Sequence, residues 1–222
     1  MFNIENYIQR LIDLLKQEFR LRLIYVGLQG SYLRGEANAD SDIDVMVVID
    51  DLQMSDLDQY RAVIQSLECA DRSCGFICGK ADLANWNPLE IYHLLHSTKD
   101  YYGNLRQLVP AYNDRDIQKF VKLSLNNLYH ELCHRYVHGN REDLYAALPG
   151  LYKGVFFILQ NQYYLKHGKW IATKQVLLQC VQGNDHAVLK RSVDLSRGAV
   201  FELSESFALL FNWCQEAMKT KY

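Results

Sequence analysis

The pair Gly30-Ser31 ends one apolar run, and ten residues later Asp42-Ile43-Asp44 opens another. Side chains in a strand alternate between faces, so Asp42 and Asp44 project together while Ile43 and Val45 point the opposite way. Two carboxylates at the open end of a buried strand repel each other unless something compensates them. Their hard oxygens suit Mg2+, an ion that shares its coordination with substrate phosphates. Two such ions ~4 Å apart stabilise both the attacking and the leaving oxygen of an in-line phosphoryl displacement. Gly30 leaves room for backbone N–H groups to approach a phosphate, and Ser31 adds a hydroxyl donor. A short helix starting there would turn its positive end toward the same anion. The plainer reading of these residues is a turn, with Asp40-Ser41-Asp42 capping a strand edge.

Such residues need strands to position them. LRLIYVGL (21–28) and IDVMVVI (43–49) are short, apolar and bounded by turn residues, which predicts two buried strands around the polar turn GSYLRGEANADSD. Ile4, Ile8, Leu11, Leu14, Leu15 and Phe19 recur at helical spacing and predict an amphipathic first helix. SDLDQYRAVIQSLEC (55–69) predicts another, with Ser55 as N-cap, and GFIC (75–78) a third strand. Pro88 sits near the start of a helix running through IYHLLHSTKDYY. Beyond GNLRQLVPAYNDRD (103–116) no segment reads as a strand. Periodic stretches at 115–138, 142–167, 172–182, 186–194 and 198–219 read as a helical bundle. The expected division is a catalytic α/β domain at 1–108 and an α-helical domain at 109–222.

Composition removes several classes. Of 222 residues 49% are hydrophobic, ample for a packed core, so disorder is excluded. The balance of 24 basic against 26 acidic residues gives no footprint for long nucleic acid. No apolar run approaches the ~20 residues that span a bilayer, and the N-terminus lacks a signal-peptide pattern. Six cysteines, at 69, 74, 78, 133, 180 and 214, are spaced irregularly, so reduced thiols and a cytoplasmic location are expected.

The run Gly30-Ser31-Tyr32-Leu33-Arg34-Gly35, continued by Asp40-Ser41-Asp42-Ile43-Asp44-Val45, resembles the nucleotidyltransferase superfamily that includes DNA polymerase β. It is close to the GSxxxG…SDIDL form of small bacterial members that adenylylate antibiotics or proteins. The resemblance covers residues 20–100 with specific motifs, and the helical remainder by general character. It implies an α+β nucleotidyltransferase fold, a short mixed sheet flanked by helices, followed by a C-terminal α-helical bundle, with the active site in the cleft between them. It further implies Mg2+ on Asp42 and Asp44, two ions during turnover, and ATP as co-substrate. Gly30, Ser31, Arg34 and Ser41 are then the candidates for the phosphates. FFILQNQYYLKHGKWIA (156–172) resembles the helix end of aminoglycoside-type substrate domains, where a lysine lies near the nucleotide phosphates. Lys169 is the matching candidate. Each basic residue keeps an ordinary alternative: a solvated lysine in a turn, and an Arg34 that merely faces Glu36.

One departure from the family pattern stands out. Many members add a third carboxylate from a following strand, as metal ligand or general base, but Gly75-Phe76-Ile77-Cys78-Gly79 carries no acid. Asp82 is the nearest acid downstream, and Glu68 and Asp71 precede it. Where the base comes from the helical domain instead, Asp116 or Glu131 is eligible.

Other patterns compete. His130-Glu131-Leu132-Cys133-His134 matches HExxH, whose histidines share a helix face and can hold zinc. The metzincin continuation is missing, however, and no downstream acid can be singled out as a further ligand. Gly75 to Lys80 lacks the spacing and the Ser/Thr of a P-loop. Tyr145, Tyr152, Tyr163, Tyr164, Phe156 and Phe157 read as bundle core, with Trp170 or a tyrosine as the alternative stacking platform. The combined expectation is transfer of a nucleoside monophosphate, AMP from ATP foremost, to a hydroxyl of a small molecule such as an aminoglycoside-like antibiotic, releasing pyrophosphate. A protein adenylyltransferase of the antitoxin type and a non-catalytic nucleotide-binding protein are the alternatives. The partners are thus a nucleoside triphosphate and a hydroxyl-bearing acceptor, with neither long nucleic acid nor membrane.

Overall fold

The computed structural model describes residues 2–220. The chain divides into two compact units after Tyr112. The division falls beyond residue 108 because Leu105 is buried in the first unit, with Leu108 and Val109 packed against the same cluster. The second unit then opens on a capped helix at Asn113.

In the first unit, α1 (Ile4–Phe19) starts where Asn3 Oδ1 accepts the Asn6 N–H at 3.1 Å. Its apolar stripe (Tyr7, Ile8, Leu11, Ile12, Leu15, Phe19) is buried, as an amphipathic pattern requires. Then follow β1 (Leu23–Leu28), the short helix α2 (Gly30–Arg34), β2 (Ile43–Ile49), α3 (Met54–Gln65) and β3 (Ser73–Gly79). The unit continues with α4 (Lys80–Ala84), α5 (Pro88–His96) and β4 (Lys99–Tyr102). The sheet is mixed, in the order β3-β2-β1-β4. β1 runs antiparallel to both β2 and β4, and β2 runs parallel to β3. Alternation along β2 sorts its side chains: Ile43, Val45, Val47 and Ile49 join the α1 core, while Met46 and Val48 join Tyr25, Cys78, Leu83 and Leu105 on the other face.

Three local expectations are corrected. Ser55 lies inside α3 rather than at its cap; Gln53 is the N-cap, and Asp56 Oδ2 accepts the Gln53 N–H at 2.7 Å. Asp56 is fixed there by an ion pair with Arg22, so this acid, buried to 3% exposure, wins the capping role. The helix at Pro88 ends at His96, where Thr98 Oγ1 donates to the Leu94 carbonyl at 2.6 Å. The following Lys99-Asp100-Tyr101-Tyr102 is a strand, paired with β1 along its edge. The third strand is longer than its apolar kernel, extending back to Ser73.

The second unit consists of α6 (Asp114–His138), α7 (Arg141–His167), α8 (Lys174–Cys180), α9 (Gly183–Ser196) and α10 (Leu203–Ala217). α7 is central, packing against α6 and α9. Tyr152, Val155, Phe156, Leu159 and Trp213 are buried in one cluster with Leu132 and Leu148. Buried polar groups are paired across helices: Tyr152 Oη donates to the Ser206 carbonyl at 2.7 Å, and Ser192 Oγ to the Tyr152 carbonyl at 2.8 Å. The expected core aromatics Tyr152 and Phe156 are in place, whereas Tyr145 is 44% exposed and stacks on Phe201. Among the described residues no helix is long and apolar enough to cross a membrane.

Candidate active site

Strand β1 ends at Leu28, and the chain turns at once into α2. The turn is tied to the acidic strand by the Gln29 N–H, which donates to the Asp44 carbonyl at 2.8 Å. Gly30 follows with φ +68°, a conformation that L side chains rarely adopt. A Cβ on Gly30 would also overlap the Asp44 carboxylate. Glycine is therefore required twice over, by backbone conformation and by the acid packed against it. The expected pairing of the glycine turn with the Asp-Ile-Asp strand is thus a direct contact.

Asp44 lies on the same strand face as Met46 and Val48, and Asp42, two residues earlier, shares that alternation while being exposed. Burial is the main influence on Asp44 and raises its pKa above the ordinary aspartate value of 3.8. Cys74 and the charge of Arg34 pull it down, and the charge of Asp42 pushes it up. A half-buried carboxylate next to another acid is a group that a cation would stabilise.

The loop between α2 and β2 is built from its own turns. Ser41 Oγ donates to Asn38 Oδ1 at 3.2 Å and accepts the Asn38 N–H at 2.9 Å. Asp40 N–H also reaches Asn38 Oδ1, at 2.9 Å. Arg72, just ahead of β3, donates to the Ala39 carbonyl at 2.7 Å and to Tyr32 Oη at 3.4 Å, holding the loop against α2. Arg34 pairs with Glu36 at 2.9 Å, the arrangement expected of its ordinary alternative. On α5, the pKa of His93 is pushed down to about 4, by burial first and then by its neighbours Arg34 and His96. A neutral imidazole thus lies near Arg34.

Asp82 stands apart from this corner. It lies in the first turn of α4, where its Oδ2 accepts the Gly79 N–H at 2.9 Å. Because β2 and β3 are parallel, Asp44 pairs with Cys74 while Gly79 lies opposite Ile49. Asp82 therefore follows the far end of the sheet, ~16 Å along the strand at ~3.3 Å per residue. The residue opposite Asp44 is Cys74, which sequence reading did not single out. No local pattern signals that pairing, nor the anchoring role of Arg72.

The remaining candidates belong to the second unit. Glu131 is engaged by Arg135 at 2.6 Å, and Asp116 Oδ2 accepts the Asn113 N–H at 3.0 Å as part of the α6 cap. His130, His134 and His138 line up along α6, with ring centroids 6.0 and 5.0 Å apart. Among the described residues no group of three or more His, Cys, Asp or Glu is arranged to hold a metal ion. Asp42 and Asp44 are a pair, which suits an ion completing its shell with phosphates and water. Lys169 is exposed, one residue past Gly168, the left-handed cap that ends α7.

Residues 8–70, which include the Gly30 turn and the Asp42–Asp44 strand, match the nucleotidyltransferase domain family. The chain's architecture is similar to that of spectinomycin adenyltransferase AAD(9) from Enterococcus faecialis, whose crystal structure contains ATP and spectinomycin. The TM-score is 0.63 at 15% identity, covering 98% of this chain and 100% of that one. A nucleotidyltransferase-like protein from Exiguobacterium sibiricum aligns at 12% identity and a TM-score of 0.39, over 98% of this chain and 75% of that one. No curated protein matches the chain in sequence.

Proposed function

We propose that the chain transfers a nucleoside monophosphate, AMP from ATP foremost, to a hydroxyl of a small molecule and releases pyrophosphate. The observation that carries this reading is the Asp44 carboxylate packed against Gly30, which joins the acidic pair and the phosphate-binding turn in one corner. Asp42 and Asp44 would hold Mg2+, which would supply Lewis-acid stabilisation of the charge developing at the α-phosphorus. The Gly30 turn and the Ser31 hydroxyl bind phosphate oxygens, and Arg34 keeps a positive charge beside Asp44. Ser41 serves the phosphates indirectly, by shaping the loop that presents Asp42. Asp82 caps a helix and takes no part.

A hydroxylated, aminoglycoside- or aminocyclitol-like acceptor is supported by similarity to a fold whose solved example holds ATP and spectinomycin. A binding protein without turnover is the second reading, favoured by one feature: the side chain opposite Asp44 is a thiol and not a third carboxylate. A pyrophosphate-release screen with Mg2+, the four nucleoside triphosphates and a panel of aminoglycosides, aminocyclitols and polyols separates the two. Labelled ATP with candidate proteins tests the antitoxin-type alternative, a protein hydroxyl as acceptor. Asp42→Asn and Asp44→Asn each lower turnover about 100-fold or more, since the lost Lewis-acid contribution is worth several kcal/mol. Mg2+-dependent turnover retained in either variant would remove the assignment.

A further inference from the structure

The seat opposite Asp44 is filled by sulfur. Parallel pairing of β2 with β3 sets Cys74 level with Asp44, and residues paired across parallel strands share a face. The two groups act on each other: Cys74 is among the influences that lower the Asp44 pKa, and Asp44 among those that raise that of the Cys74 thiol, after burial in each case. An ionised carboxylate only accepts, so in any hydrogen bond between them the thiol must donate. Gly75 is what allows this approach. Its φ is +136°, and a Cβ there would overlap the Val45 backbone, so only glycine lets β3 lie this close to β2 beside Asp44.

Asp44 is thus enclosed on two sides, by the Gly30 backbone and by the Cys74 thiol. We propose that Cys74 is a positioning residue: its S–H grips Asp44 and orients the carboxylate for a divalent cation, in a seat where a third carboxylate would itself be a ligand. The thiol contributes a hydrogen and no charge. It restrains one rotamer of Asp44 without adding to the repulsion between Asp42 and Asp44. This inference rests on the proposed role of the acidic pair as the cation holder, and it names a residue of this chain that sets the strength of that hold. Partners that hydrogen-bond a ligating carboxylate typically affect metal affinity 10–100-fold.

The test uses the full chain and Mn2+ alone, with bound ion read as loss of the free-ion EPR signal, so turnover is not needed. Cys74→Val removes the donor at similar volume, and Cys74→Ser keeps a donor. Cys74 is exposed, so both variants should fold; thermal unfolding verifies this. The expected result is about tenfold weaker Mn2+ binding in Cys74→Val, with Cys74→Ser within about threefold of the parent. In turnover, Cys74→Val should raise the Mg2+ requirement while leaving the rate at saturating Mg2+ close to that of the parent. Unchanged Mn2+ affinity in Cys74→Val overturns the inference, and so does equal weakening in both variants, which would make the contact one of shape. Asp42→Asn keeps the two levels distinct. If the parent binds Mn2+ no better than Asp42→Asn, the cation role of the pair fails, and the inference about Cys74 fails with it.

Discussion

Asp44 carries opposed demands. Its carboxylate is half-buried beside a second acid, so the protein without metal gains nothing from ionising it. The sign is definite. An aspartate whose folded pKa is raised binds its proton more tightly when folded, so its contribution to stability grows as pH falls through the raised value. Asp44→Asn should therefore raise the melting temperature of the metal-free protein at neutral pH. That advantage should shrink as pH is lowered toward and through the pKa of Asp44; thermal scans across pH 4–7 measure it. A substitution that removes turnover while stabilising the fold is the expected behaviour of a group kept for chemistry. At this scale the sequence was informative where chemistry depends on neighbours along the chain. Gly30, Ser31, Asp42 and Asp44 are legible because their spacing places a turn beside a strand. Cys74 and Arg72 are not, since they reach the site through strand pairing and a long crossover that no local spacing encodes.

At the scale of elements, parallel pairing decides which acid is near the site. Asp82 is the next acid downstream of the third strand, yet nearness along the chain carries it past the far end of β3, where it caps α4. Asp82→Ala should cost about 1 kcal/mol of stability, as loss of a cap does, and leave turnover unchanged; urea unfolding beside a pyrophosphate assay reads both. A fall in turnover with unchanged stability would return Asp82 to the site. The two central strands and the long helices were readable because their apolar periodicities run for one to several turns or for a full strand length. β4 was not, because its four residues begin Lys-Asp and follow an apolar helix without a proline or glycine break. Only the open edge of β1 makes that segment a strand.

At the scale of the whole molecule, 24 basic and 26 acidic residues leave no broad positive field. On the proposed reading, phosphate recognition is confined to one corner made of a glycine turn, a hydroxyl and an acidic pair that would hold a cation. The chain should give no shift of a random DNA duplex at about 150 mM salt, because polymer binding depends on many basic contacts. A salt-resistant shift would show a surface not described above. The helical unit supplies a core of its own, and its sequence was legible as a bundle; the roles of its exposed faces were not, because exposed residues follow no packing rule. The central claim is that the Gly30–Asp44 corner transfers nucleotide. Mg2+-dependent release of pyrophosphate from ATP with a hydroxylated acceptor, compared between the parent chain and a folded Asp44→Asn variant, tests it most directly. The expected result is acceptor-dependent release by the parent and a loss of about 100-fold or more in the variant. Equal release by both would contradict it.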